Sequence, residues 1–215
     1  MLRRNFIQAT AIAAAGLTGI SSVAQAANQN NHPNSESLYV IGPVNGYSPY
    51  IGSLVSMMNY NRSTIIEVTK EFTMADLDYL FDAKANTIGA LIMHLGAVDK
   101  WYQINSFEGR EDLNETEKKL WGDALDLGDA GRKNIKGKDL KYYIDNITEV
   151  REKTLSELKK KDDKWLLAVD PKFGDGKIPF NTYWKWFHVC EHESHHRGQI
   201  SWLKNRLPGA KQNKE

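Results

Sequence analysis

Four of the chain's six histidines fall within nine residues, in the stretch His188-Val189-Cys190-Glu191-His192-Glu193-Ser194-His195-His196. On an α-helix each residue turns about 100°, so His192 and His196 stand one turn apart on one face. Two imidazoles at that spacing can hold one divalent metal ion. His188 lies a further turn back and His195 beside the pair, roughly 40–60° from His192 around the axis. Both are placed to orient water or carry a proton, which makes His188 and His195 the candidate catalytic residues. Glu193 points about 100° away from the ligand face and ranks below them as a base. The flanking Trp184, Trp186, Phe187 and Trp202 argue against a solvated, merely pH-sensitive cluster. Cys190, the one cysteine, excludes an internal disulfide and a cysteine-rich metal site, and its position, roughly 160° from His192, reads as packing.

These side chains need a scaffold, and the hydrophobic pattern supplies helices. A last helix over 181–206 carries the cluster and is stopped by Pro208-Gly209. A helix over 86–105 puts Ala90, Leu91, Val98 and Trp101 on one apolar face, with His94 as the polar group among them. Facing a His-x-x-x-His pair, His94 is the third metal ligand. Trp101 and Trp186 are candidates to wall a pocket, with core packing the plainer role. Ser48-Pro49 starts a helix reaching Phe72, with Ser48 as its cap. Thr73-Met74-Ala75-Asp76 opens a short turn through Leu80. An amphipathic helix spans 138–161. Between them, 107–137 is the least regular part, broken by Gly122, Gly128, Gly131 and Gly137, with a short helix over 116–125. The expected fold is all-α, a four-helix bundle with a long crossover loop region, spanning 48–209 and followed by a tail, 210–215.

Residues 1–26 read as an export signal: Arg3-Arg4-Asn5-Phe6, an uncharged run rich in small and apolar residues, and a small-x-small site at Ala24-Gln25-Ala26. The paired arginines favour the twin-arginine type. The mature protein is therefore expected to be periplasmic or secreted. Residues 27–47 form a polar, Asn-rich tether and a lead-in loop. Losing Arg3 and Arg4 takes the formal charge from +1 to −1, and no dense basic stripe suits nucleic acid. No membrane span is expected after residue 26. The expected partner is a small-molecule substrate, and a homodimer stays open.

Two stretches carry a family resemblance: Asn86-Thr87-Ile88-Gly89-Ala90-Leu91-Ile92-Met93-His94, and His192-Glu193-Ser194-His195-His196-Arg197-Gly198-Gln199-Ile200. Together with the bundle they resemble the DinB-like superfamily, over roughly 48–209. The resemblance implies a three-histidine site at His94, His192 and His196 holding a divalent ion, zinc or nickel, with open positions. It further implies thiol-dependent transferases and isomerases among the relatives.

The chemistry expected is a metal-dependent hydrolase or thiol transferase acting on a small electrophile. Two other readings compete. One is a non-catalytic bundle that binds a metal or ligand. The other is a zincin-type protease, since His192-Glu193-Ser194-His195-His196 also satisfies His-Glu-x-x-His with Glu193 as base. The second lacks a downstream third ligand: after His196 there is no histidine, and Glu215 supplies the one carboxylate side chain.

Overall fold

The computed structural model describes residues 38–174 and 177–210. The expected export signal, most of the tether and the tail beyond Ala210 lie outside the described residues. Within them the chain forms helices α1 (Pro49–Thr69), α2 (Met74–Asp78), α3 (Ile88–Gln103), α4 (Glu115–Asp126), α5 (Gly128–Asn134), α6 (Leu140–Leu158), α7 (Asp163–Leu167) and α8 (Thr182–Lys204). A π-helical turn, Ile104–Glu108, extends α3. An isolated bridge between Val169 and Asn181 is the β pairing among the described residues, so the all-α class holds. No described helix is long and apolar enough to cross a membrane.

The long helices α1, α3, α6 and α8 make the bundle: α3 packs on α6 and α8, and α1 packs on α8. Side chains cap three of them. Thr87 accepts from the Ala90 N–H at 3.1 Å, Asp139 from Tyr142 at 2.8 Å and Asn181 from Trp184 at 2.8 Å. The expected Ser48 cap on α1 is not made. Instead the Ser48 hydroxyl donates to Asp163 Oδ1 at 2.6 Å, and that oxygen accepts from the Tyr50 and Ile51 N–H groups at 3.0 and 3.1 Å. The cap for α1 comes from α7, far away in sequence.

Residues 107–137 are more regular than their glycines imply. An Asn114/Glu117 capping box starts α4. Leu127 (φ 56°) and Gly128 (φ 64°) then turn the chain through the left-handed region, and α5 follows. Trp121 of α4 lies against α3, where Gly96 makes room for it. A Cβ on Gly96 would stand 2.8 Å from Trp121 and 3.0 Å from Ile147. Gly96→Ala is therefore expected to lower stability by about 1–3 kcal/mol of overpacking, less the roughly 1 kcal/mol of helix propensity gained. A thermal melt that matches or exceeds wild type would contradict this packing.

The core has two apolar clusters. One gathers Ile65, Leu91, Leu95, Trp121, Ile147 and Ile200, and the other gathers Leu54, Met58, Val98, Leu158, Trp186 and Val189. Between them along the helices lies a buried charged layer, one residue from each long helix: Arg62, Asp99, Arg151 and Glu193. Arg62 Nε donates to Glu193 Oε1 at 2.8 Å, Arg151 Nε to Asp99 Oδ2 at 2.7 Å, and Arg151 Nη2 to Glu193 Oε1 at 3.1 Å. Thr154 Oγ1 donates to Asp99 Oδ1 at 2.6 Å. Two positive and two negative groups leave the layer neutral.

Candidate metal centre

The sequence places His192 and His196 on one face of α8, and the α3–α8 packing brings His94 opposite them. The His192 Nε2 atom stands 3.1 Å from His94 Nε2 and 3.0 Å from His196 Nε2. All three ligand atoms lie within 4.8 Å of one another.

Protons explain why this is a cation site. His94 Nδ1 is 2.7 Å from the Ala124 carbonyl, which can only accept, so His94 carries its proton on Nδ1. His196 Nδ1 is 2.8 Å from Gln199 Oε1 and is protonated for the same reason. Both rings therefore aim a bare Nε2 lone pair at His192 Nε2. One proton there can satisfy one of the two. A divalent ion satisfies all three nitrogens, so the residues fit it. Burial, and then the neighbouring imidazoles, push His192 down to about 3. Burial and His94 push His196 down to about 4. Burial also lowers His94. At neutral pH all three are neutral, the form that binds metal.

The crossover region supplies part of this site. The turn at Leu127 ends α4 and frees the Ala124 carbonyl from an intrahelical partner, and His94 takes it. Nothing in residues 107–137 read from sequence announced that role.

His188 and His195 stand beside the three-nitrogen set. His188 Nδ1 pairs with Glu191 Oε1 at 2.7 Å, and its ring stacks on Trp184 at 5.3 Å between centroids. His195 Nε2 accepts from the Gln199 amide at 3.0 Å. Both line an open cavity of about 860 Å³ whose wall also includes His192, Tyr60, Asn61 and Glu191. Trp186 is fully buried and stacks on Phe107, and Trp101 packs on Tyr102 and Phe173. Their role is packing. Glu193 is 1% exposed and committed to Arg62 and Arg151, so it is not available as a zincin base. Cys190 is buried as expected, and burial pushes its thiol up to about 12.

With this geometry in hand, comparison with known proteins is decisive for the family. The family model for mycothiol-S-transferase matches residues 53–209, a span that contains all three histidines. The chain belongs to the mycothiol-S-transferase family. This is a DinB-like family, so the resemblance read from Asn86–His94 and His192–Ile200 holds. Two solved structures share the family's fold. A conserved protein from Enterococcus faecalis superposes with a TM-score of 0.55 at 16% identity, covering 71% of this chain and 93% of its own. A DinB-like protein from Bacillus cereus superposes with a TM-score of 0.52 at 19% identity, covering 74% of this chain and 96% of its own. No curated protein matches the chain significantly.

Proposed function

We propose that this protein is a metal-dependent S-transferase that moves a low-molecular-weight thiol onto a small electrophile. His94, His192 and His196 hold one divalent ion, zinc or nickel. The observation that carries the reading is the convergence of three neutral Nε2 atoms, short of protons to satisfy one another, beside a cavity large enough for a thiol carrier. The family match favours thiol transfer over hydrolysis.

When bound, the ion supplies a Lewis acid that favours the anionic form of a neighbouring thiol. The protein's own groups do the rest. Ala124 and Gln199 fix the tautomers of His94 and His196. Met57 and Phe187 give the cavity an apolar side that limits water, while Tyr60 and Ser194 offer hydrogen bonds to a polar thiol carrier. His188, oriented by Glu191 and Trp184, positions the incoming thiol and carries its proton, with His195 as the second candidate. Cys190 takes no part, because its thiol is buried and protonated.

The test is turnover of a small thiol with an alkyl halide by the metal-loaded protein. Chelation is expected to bring the rate to background, and zinc or nickel to restore it. Cys190 lines the same cavity, but its buried thiol stays protonated, so Cys190→Ala is expected to keep the rate within about twofold. A rate indifferent to chelator would remove the metal from the reading, and no rate above background would end it in favour of a binding protein.

The site is further proposed to work outside the cytoplasm, on the strength of Arg3-Arg4 and Ala24-Gln25-Ala26. N-terminal sequencing of exported protein should then start at Ala27. An intact Met1 on exported chain would contradict cleavage, and unchanged export after Arg3→Lys with Arg4→Lys would contradict the twin-arginine route.

A further inference from the structure

A second cavity, of about 510 Å³, lies between the start of α3 and the C-terminal half of α8, lined by Asn86, Leu91, His195, Gly198, Gln199 and Trp202. His195 belongs to the walls of both cavities. Gln199 bonds His195 on one side and the ligand His196 on the other. The second cavity therefore begins one hydrogen bond away from the metal centre, on the side opposite the larger one's His188.

One feature of its wall has no explanation within the protein. Gly198 sits inside α8, where glycine costs about 1 kcal/mol relative to alanine. Its φ is ordinary, and a Cβ built on it would meet nothing within 4 Å. Gly89 and Gly96 make room for Tyr143 and Trp121, but no side chain uses the space over Gly198. An open floor walled by Leu91, Leu203 and Trp202, the last held by Phe81 and by Arg206 over its ring, is the complement of a small flat apolar body.

Resting on the transferase reading, we propose that this cavity binds the electrophilic second substrate: a molecule with a flat apolar body that lies over Gly198 and against the apolar lining of Leu91, Trp202 and Leu203. The thiol occupies the larger cavity, and the two meet at His195. The transfer balances without any redox partner. The thiol gives up its proton by way of His188 to solvent, its sulfur forms the S–C bond with its electron pair, and the leaving group departs with the pair of the bond it breaks.

Iodoacetanilide fits this description, with an aryl body and iodide as leaving group; N-acetylcysteine serves as the thiol. The informative variant is Gly198→Leu, which fills the cavity into open space and should fold with an unchanged or raised melting temperature. It is expected to raise KM for iodoacetanilide by about tenfold or more, the equivalent of 1.4 kcal/mol, while KM for the thiol and metal content stay put. Trp202→Ala should shift the same constant by removing the wall instead of filling the floor. A second arm needs no turnover: anilinonaphthalene sulfonate, which has a flat apolar body, should fluoresce on binding wild type and lose that signal in Gly198→Leu. Unchanged dye binding and unchanged KM in Gly198→Leu overturn the proposal, as does a parallel rise in both KM values. If metal-loaded wild type turns over nothing, the transferase reading and the electrophile assignment fall together. The dye arm then decides by itself whether the cavity takes a ligand.

Discussion

His192→Ala is expected to reduce bound zinc or nickel from one ion per chain to a trace. His192 is the middle ligand, its Nε2 at 3.1 Å from His94 and 3.0 Å from His196, so its removal leaves two nitrogens from different helices. Altering a hydrogen-bond partner of a metal ligand costs about 10–100-fold in affinity, and losing a ligand should exceed that. Gln199→Ala, which removes the partner of His196, is the graded comparison. Stability gives a second readout with a definite sign. At a thousandfold excess of metal over Kd, wild type gains about 4 kcal/mol. For a chain of this size that is about 2–4 °C per kcal/mol. His192→Ala should gain none of it. Without metal, the variant should lie within about 1 kcal/mol of wild type, since the side chain removed was facing lone pairs and not making a net of hydrogen bonds. Stoichiometric metal in the variant, or no uptake by wild type, would remove the three-histidine site.

How much of this was legible depended on whether the signal was local. The four long helices ended within about one turn of their expected bounds, because each carries an apolar repeat and a cap or stop in its own sequence. His192 and His196 were legible because helical geometry alone puts i and i+4 together, and His94 because one polar group stood on an apolar face. The support around the site was not legible. The carbonyl that orients His94 belongs to Ala124, which has no distinctive side chain and lies in a segment read as loop. What frees it is a left-handed Leu127, and leucine gives no hint of positive φ. Likewise α5 hides behind Gly128 and Gly131, which read as breakers. The α1 cap failed as a local prediction because Asp163, brought by the fold, outcompetes the Ser48 side chain for the same N–H groups.

The charged layer had a local signal of a different kind, present but unread. Arg62 continues the Leu54–Met58 register of α1 into Ile65, Arg151 follows Ile147 by one turn, and Asp99 follows Leu95. Glu193 follows Val189 in the same way. Single charges at core register are a liability on any one helix. On four helices, with signs that cancel, they are a set of partners.

That set makes the last expectation specific. Glu193→Ala should be the most destabilising single change near the site, at about 3–5 kcal/mol, because it leaves two buried guanidinium groups facing Asp99 alone. Arg62 loses contacts of 2.8 and 2.7 Å, and Arg151 one of 3.1 Å. At about 2–4 °C per kcal/mol, the melting temperature should fall by on the order of ten degrees. The cost is mostly the uncompensated charge and not the lost bonds, so removing one positive partner should reverse part of it. Glu193→Leu with Arg62→Leu is therefore expected to be more stable than Glu193→Leu alone, with the Asp99–Arg151 pair left intact. Metal affinity should follow stability, because Glu193 adjoins His192 and fixes the rotation of α8 that turns His192 and His196 toward His94. If Glu193 were instead a general base at the metal, Glu193→Ala would keep its melting temperature and its metal and lose only rate. A thermal melt and a metal assay on this one variant separate a helix-positioning carboxylate from a catalytic one.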